Sequence, residues 1–150
     1  MKAVLQRVSS ASVKVDGNVT GSIETGFMIL LGVEQGDADR DAEFLAQKTA
    51  ELRVFADDAG KMNLSIKDVN GSVLLISQFT LLADWRKGRR PGFTRAASPD
   101  EGKRLYEFFG TVLEQSGVPV QYGVFGADMK VTLTNDGPVT LLIENQFAAG

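Results

Sequence analysis

The sequence predicts an α/β fold in which residues 1–150 form a single sheet-rich domain with two main helices. Most of the chain consists of short strand-like segments bounded by turn residues, and only two segments have helical spacing. No repeat, linker or low-complexity segment separates them. A chain of 150 residues, 43% of them hydrophobic, is long enough for one buried core and short for two. We therefore expect a mixed or antiparallel sheet, or a barrel-like core, packed against both helices.

The strand predictions rest on alternation, on β-branched apolar runs and on the turns between them. Asp16-Gly17-Asn18 is hairpin-turn chemistry between two alternating segments. Residues 26–33 are almost continuously apolar, as in a central strand buried on both faces. Near the C-terminus, Asn135-Asp136-Gly137-Pro138 is interpreted as a turn across which the last two strands pair. The predicted strands are residues 3–8, 12–15, 19–23, 26–33, 53–56, 72–77, 118–124, 129–134 and 139–144.

Two helices and one long loop complete the prediction. Residues 37–52 have apolar side chains at helical spacing and acidic side chains at the front, where the helix dipole favours them. Ser98, followed by Pro99 and Glu101, is a helix start, and Gly117 ends that helix after about Ser116. Residues 83–97 show neither period and are predicted to be a loop.

Composition excludes several classes of chemistry. The chain has no histidine and no cysteine, which removes disulfides, thiolate or imidazole metal sites, cysteine nucleophiles and triads of the Ser-His type. No acidic run has the spacing of a calcium loop, so we expect neither a metal nor a cofactor. No apolar run is long enough to span a bilayer, and we expect a cytoplasmic protein without a membrane partner. The net charge of −3 means that a nucleic-acid partner requires a local basic patch.

The end of one apolar strand is the first candidate site. Ser77, Gln78, Phe79 and Thr80 bring two hydroxyls, an amide and unpaired backbone N–H groups together. Fixed donors of this kind can stabilise a developing oxyanion. The alternative is a strand end whose polar side chains cap their own backbone.

Three further segments are candidates for binding. Gly137-Pro138 combines a bare backbone with a fixed turn, although an ordinary hairpin turn is the alternative. Residues 86–95, here called the basic loop, hold five basic residues among aromatic ones, which suits a nucleic-acid backbone or a solvated cationic surface. Phe125 and Met129 flank small residues as in a base or side-chain pocket, or they pack in the core.

Together these segments closely resemble the D-aminoacyl-tRNA deacylase family, in order and over essentially the whole chain. Both central motifs match without departure, and their combination is highly specific. The matching segments are Met1-Lys2-Ala3-Val4-Leu5-Gln6-Arg7-Val8, Gly60-Lys61-Met62-Asn63-Leu64-Ser65, Ser77-Gln78-Phe79-Thr80-Leu81, Lys87-Gly88-Arg89-Arg90-Pro91, Phe125-Gly126-Ala127-Asp128-Met129 and Asn135-Asp136-Gly137-Pro138-Val139-Thr140.

The resemblance implies an enzyme that hydrolyses the ester of D-aminoacyl-tRNA, and also of glycyl-tRNA, as chiral proofreading in translation. It implies a homodimer in which a cis Gly137-Pro138 peptide enters the other subunit's site at the interface and rejects L-amino acids. Catalytic roles fall on Ser77, Gln78, Phe79 and Thr80, and chiral selection on the Gly-Pro peptide. The resemblance assigns supporting roles to Arg7, Phe125, Met129, Asn135 and Asp136, and tRNA binding to Arg86, Lys87, Arg89 and Arg90.

Two mechanisms are compatible with this resemblance: attack by Thr80, or assistance by the 2′-hydroxyl of the RNA. The residues favour the second, because no histidine is present to activate Thr80, whereas the vicinal hydroxyl is already beside the ester. A non-catalytic module that binds RNA 3′ ends is the alternative function. An esterase for small esters without RNA is a third.

Overall fold

The computed structural model describes residues 1–145, so residues 146–150 of the predicted domain lie outside the described residues. The strands are β1 (Lys2–Val15), β2 (Asn18–Ile23), β3 (Gly26–Gly32), β4 (Phe55–Ala56), β5 (Met62–Leu64), β6 (Ser72–Ser77), β7 (Val120–Tyr122) and β8 (Lys130–Glu144), and the helices are α1 (Asp39–Glu51) and α2 (Pro99–Gln115). A 3₁₀ turn, Phe79–Leu82, follows β6.

The long strand β1 organises the main sheet. It pairs antiparallel with β2 and β3 along one edge and with β8 along the other. Beyond β3 the sheet continues with β6 and β7, and both of these pairings are parallel. The opposite ends of the sheet approach each other, since the Thr20 hydroxyl donates to the Tyr122 carbonyl at 3.4 Å. The predicted fold, a mixed, nearly barrel-shaped sheet with two main helices, is confirmed.

The first hairpin forms where the sequence predicts it. Asp16 and Gly17 have φ angles of 50° and 79°, and Val15 pairs with Asn18 around them. Two consecutive residues with positive φ are the requirement of the tight hairpin turn whose twist matches that of the strands. The two predicted strands before this turn are one continuous strand, β1.

The predicted hairpin at the C-terminus is wrong. Residues 129–134 and 139–144 do not pair with each other, because both form part of the single strand β8 and pair with β1. Val8 pairs with Asn135 and Gln6 with Thr140, which leaves residues 136–139 as an insertion, here called the β8 bulge. The physical reason is the length of β1, whose 14 residues offer partners to both halves of β8.

Both helices lie where they are predicted. In the first turn of α1, the Asp41 carboxylate accepts a 2.7 Å bond from the N–H of Ala38, the residue that precedes the helix. The Ser98 hydroxyl accepts from the Glu101 N–H at 3.4 Å, Pro99 is the first helical residue, and Gly117 follows the helix with φ +90°. Both helices contribute to one apolar core with β1, β3 and β6. Among residues 1–145, neither helix has the length and hydropathy needed to cross a bilayer.

Candidate active site

The chain changes direction at the end of β6. The Gln78 N–H extends the pairing with β3 by donating to the Leu31 carbonyl at 2.8 Å, and the chain then enters the 3₁₀ turn. Leu82 anchors this turn because its side chain is fully buried. Gly32 allows the close approach, since a Cβ atom there would lie 2.6 Å from Leu82 Cδ2. The turn is therefore fixed to the central strands.

This turn leaves two backbone donors available. The first N–H groups of a helical turn have no partner within it. Within the described part of the chain, we find no hydrogen-bond acceptor for the N–H groups of Phe79 and Thr80. The Gln78 side-chain amide, by contrast, donates to the Thr80 hydroxyl. The site thus offers two adjacent N–H groups to an incoming oxygen atom.

A cavity of about 270 Å³ opens beside this turn. We call it the β6 cavity. Three of the four predicted catalytic residues line it, but Thr80 is exposed and lies just outside the lining. Phe125 and Met129 also line the cavity, as expected for pocket walls. The lining residues are Leu31, Val33, Ile76, Ser77, Gln78, Phe79, Ala97, Gly102, Tyr106, Phe125, Gly126, Ala127, Asp128, Met129 and Val131.

Tyr106 and Phe125 form an aromatic wall of this cavity. The buried Tyr106 hydroxyl donates to the Leu75 carbonyl at 2.9 Å, which fixes the ring against β6. Burial raises the pKa of this phenol well above its ordinary value, so the hydroxyl remains a donor. The Phe125 ring packs on Tyr106 with centroids 5.8 Å apart. The wall is therefore apolar and firmly supported on its inner side.

The β8 bulge is held by one side chain from β1 and one from the residue that precedes the bulge. Arg7 Nε donates to the Asp136 carbonyl at 2.8 Å, and Arg7 Nη1 donates to the Val54 carbonyl at 2.6 Å. Asn135 Oδ1 accepts from the Val139 N–H at 2.8 Å, and Asn135 Nδ2 donates to the Thr140 hydroxyl at 2.9 Å. Of the predicted supporting residues, Arg7 and Asn135 thus hold the bulge to which Asp136 belongs, whereas Phe125 and Met129 line the β6 cavity.

The peptide bond between Gly137 and Pro138 is cis, and both residues are exposed. Gly137 has φ +143°, and a Cβ atom there would lie 2.8 Å from the Val139 nitrogen and 3.2 Å from Arg7 Nη2. Only glycine fits this backbone. Neither residue lines the β6 cavity of the same chain.

Comparison with known proteins gives the family. Residues 4–144 match the family described as D-Tyr-tRNA(Tyr) deacylase. The chain belongs to this family. A D-aminoacyl-tRNA deacylase of Geobacter metallireducens is 59% identical to it over 150 residues, which cover 100% of this chain and 99% of that protein. The resemblance seen in the sequence, and the hydrolase class that it implies, are confirmed.

Two solved structures have the same fold. One, described as a c-Myc DNA unwinding element binding protein, has a TM-score of 0.91 and 38% identity, covering 97% of this chain and 99% of the other. The second, a probable eukaryotic D-amino acid tRNA deacylase, has a TM-score of 0.80 and covers 96% of this chain and 98% of its own. At 16% identity, the second structure supports the fold alone.

In the basic loop of this deacylase-family chain, some basic side chains form ion pairs and others do not. Arg86 forms two bonds with the Asp84 carboxylate, at 2.9 and 3.0 Å, and Arg95 pairs with Glu34 at 2.6 Å. The bonds from Arg86 lower the pKa of the Asp84 carboxyl to about 2. The other predicted tRNA-binding residues, Lys87, Arg89 and Arg90, are exposed and form no ion pair within residues 1–145. The unpaired charge therefore lies at the tip of the loop.

An aromatic contact connects this loop to the 3₁₀ turn after β6. The rings of Phe79 and Phe93 meet edge to face, with centroids 5.0 Å apart. The predicted site residues thus form three groups: the β6 cavity, the β8 bulge and the basic loop. Within the described residues, no cluster of three potential metal ligands accompanies them.

Among the cavity-lining residues that sequence reasoning missed, Gly102 and Tyr106 lie on α2. Tyr106 follows the apolar period of α2 and looks like a core residue in the sequence. Gly102 gave a usable signal, because glycine inside a helix is unfavourable and often has a packing reason.

Proposed function

We propose that this protein hydrolyses the ester bond of D-aminoacyl-tRNA, and of glycyl-tRNA, releasing the amino acid and free tRNA. Water adds to the ester carbonyl, and the bond from that carbon to the ribose oxygen breaks. The observation that carries the proposal is the pair of unpartnered N–H groups, those of Phe79 and Thr80, beside the β6 cavity. Donors fixed before reaction stabilise the oxyanion at little reorganisation cost. Ser77 and Gln78 shape the mouth of this site.

Catalysis is assisted by the 2′-hydroxyl of the terminal ribose. Thr80 is poorly suited to be a nucleophile, since the sequence has no histidine and no titratable side chain is hydrogen-bonded to Thr80 within the described residues. Its hydroxyl oxygen instead accepts a bond from Gln78. The 2′-hydroxyl is already adjacent to the reacting ester, which gives it the advantage of proximity.

Selection against L-amino acids comes from the β8 bulge of a second copy of the chain. Because Gly137 and Pro138 do not line the cavity of their own chain, a partner is needed to bring them to the substrate. An apolar surface supports this homodimer: Val4 pairs with Leu30 and Leu142, and Leu142 is 58% exposed. Such exposed apolar patches are typical of protein interfaces.

The tRNA itself binds through the basic loop, in the cytoplasm. The unpaired side chains of Lys87, Arg89 and Arg90 contact phosphates, whereas Arg86 is largely neutralised by Asp84. The contact of Phe93 with Phe79 supports this assignment, because it joins the basic loop to the turn that carries the two N–H donors.

A three-way measurement tests the proposal. The purified protein is given a D-aminoacyl-tRNA, the matching free D-amino-acid ester, and the tRNA without its amino acid. We expect fast hydrolysis of the first and slow hydrolysis of the second. Binding of tRNA without hydrolysis would support the alternative of an RNA 3′-end binding module. Equal hydrolysis of both esters would indicate a small-molecule esterase.

A further inference from the structure

We propose that Trp85 is a stacking platform for a base of the single-stranded 3′ end of the substrate RNA, a few nucleotides before the one that carries the amino acid. This inference deepens the proposed function and rests on it, because the ligand is the RNA strand next to the reacting ester. Trp85 does not line the β6 cavity. The platform is therefore an RNA contact separate from that cavity and from the phosphate contacts of the basic loop.

Trp85 is unusually exposed for a residue of its kind. Tryptophan is highly buried on average, but Trp85 is 75% exposed, the largest value for any large apolar residue among residues 1–145. A single exposed apolar side chain needs no explanation by itself. The position of Trp85 supplies a reason for one, because the residue is fixed in place and lies among unpaired cations.

The chain on both sides of Trp85 is fixed by hydrogen bonds. Asp84 and Gly92 exchange two backbone bonds, of 2.7 and 2.8 Å, which close residues 85–91 into a loop. Immediately after Trp85, the Arg86 N–H donates to the Asp84 carboxylate at 3.2 Å. Because these bonds already order the backbone, stacking of a base on the indole ring costs little further conformational entropy.

The surroundings of Trp85 suit a nucleic-acid strand. Proteins bind single strands with cationic side chains along the phosphates and aromatic side chains against the bases. Lys87, Arg89 and Arg90 are exposed and form no ion pair within the described residues, and all three follow Trp85 in the same closed loop. This loop thus offers both kinds of contact to one RNA strand.

The platform also lies within reach of the reacting end. Only four residues separate Thr80 from Trp85, so their Cα atoms are at most about 18 Å apart. Beyond the other end of the loop, the Phe93 ring contacts the Phe79 ring with centroids 5.0 Å apart. The end of a tRNA that carries the amino acid is unpaired, so its bases are free to stack on aromatic side chains. A strand whose ester lies at the N–H groups of Phe79 and Thr80 therefore reaches Trp85 within a few nucleotides.

The test uses fluorescence, because Trp85 is the only tryptophan of the chain. An indole ring loses emission when a base stacks on it, so the signal reports this position alone. The full-length protein is titrated with a single-stranded RNA oligomer that ends in cytidine-cytidine-adenosine and carries no amino acid. The second probe is an abasic oligomer of the same length, which has the phosphates without the bases. Neither probe depends on hydrolysis, so a failure of this inference and a failure of the proposed deacylase activity are distinguishable.

We expect the RNA oligomer to quench the emission and the abasic oligomer to leave it nearly unchanged. Trp85→Ala should weaken binding of a labelled RNA oligomer, measured by anisotropy, about tenfold, and Trp85→Phe less than about threefold, because phenylalanine keeps an aromatic face. The salt slope of binding should stay the same in both variants, since the indole ring contacts no phosphate. For a D-aminoacyl-tRNA, Trp85→Ala should raise KM and change kcat less than about twofold.

Val19→Ala is the matched control, because Val19 is an exposed apolar residue of β2 outside the three groups of site residues. It should change neither the affinity for RNA nor KM. Equal quenching by the two oligomers, or an affinity that Trp85→Ala leaves unchanged, would overturn the proposal. An emission that depends on protein concentration, together with a dimer that Trp85→Ala dissociates, would also overturn it, because the ring would then be a contact between subunits. If Trp85→Ala does not fold, the two oligomers decide the question in the unchanged protein.

Discussion

At the end of β6, the N–H groups of Phe79 and Thr80 have no partner within residues 1–145, whereas the β8 bulge is held by side chains that lie outside it. Arg7 donates to the Asp136 carbonyl, and Asn135 accepts from the Val139 N–H. The first region presents backbone donors beside a cavity, and the second presents a backbone fixed by its neighbours.

This difference indicates separate tasks for the two regions. Free donors beside a cavity can stabilise charge in a transition state. A bulge held by the side chains of Arg7 and Asn135 can present a fixed shape, and the exposed Gly137 makes that shape a bare backbone surface. We therefore expect chemistry to depend on the β6 end and the substrate, and chirality to depend on the rigidity of the bulge.

The largest expected effect is on the chemical step. It shows whether the substrate or the protein supplies the group that assists catalysis. Replacing the terminal adenosine by its 2′-deoxy analogue, with the amino acid on the 3′ oxygen, should lower kcat about 10²- to 10⁴-fold, the usual contribution of a positioned acid–base group. Thr80→Ala should lower kcat less than about tenfold, because the backbone N–H donors remain. Single-turnover deacylation measures both effects.

Thr80→Ser is the matched variant in this experiment, since it keeps a hydroxyl group. Thr80 would be established as the nucleophile by three results together. The Thr80→Ala protein would be folded but inactive, the Thr80→Ser protein would be active, and the deoxy substrate would react normally.

Local sequence signals predicted most of this arrangement, and long-range packing explains what they missed. The turn at Asp16 and Gly17 and the cap at Ser98 depend on neighbouring residues only, and both are correct. The clustering of Phe125 with the β6 end was expected from the resemblance. The course of β8 was mispredicted, because it depends on which strand offers partners. Likewise, no local pattern shows that Gly102 faces Phe125 across the fold.

A smaller effect should appear in the chirality of the reaction. If a bare backbone excludes the L side chain, the glycyl and D-alanyl esters of one tRNA should both be hydrolysed readily. The L-alanyl ester should react at least about a hundredfold more slowly, equivalent to about 2.7 kcal/mol of discrimination. A resistant glycyl ester beside a rapidly cleaved D-alanyl ester would contradict exclusion, since the D side chain would then itself be recognised.

The Arg7 fork tests whether this discrimination requires a rigid bulge. Arg7→Lys keeps the charge but cannot donate to the Asp136 and Val54 carbonyls in the same fork geometry. Loss of a charged hydrogen bond costs about 1.5–3 kcal/mol, so the ratio of D-alanyl to L-alanyl rates should fall about tenfold or more. Arg53→Lys is the control, because Arg53 bonds to Asn63 on β5 and not to the bulge. An unchanged ratio in folded Arg7→Lys protein would show that the bulge keeps its shape without the fork.

The smallest effect should come from the basic loop, because its charges act through solvent and without fixed geometry. Changing Arg89 and Arg90 together to alanine should weaken binding of different tRNAs alike and reduce the slope of log K against log salt by about one per lost phosphate contact. The control is Asp84→Asn combined with Arg86→Gln, which removes the ion pair between Arg86 of the basic loop and the nearby Asp84 without changing the net charge. We expect that control to leave the salt slope unchanged, because the Arg86 charge is already compensated in the free protein. A slope that stays constant in the Arg89 and Arg90 variant would make the loop a solvated surface or a dimer contact. A slope that falls in the control would instead mean that Arg86 leaves Asp84 to bind phosphate.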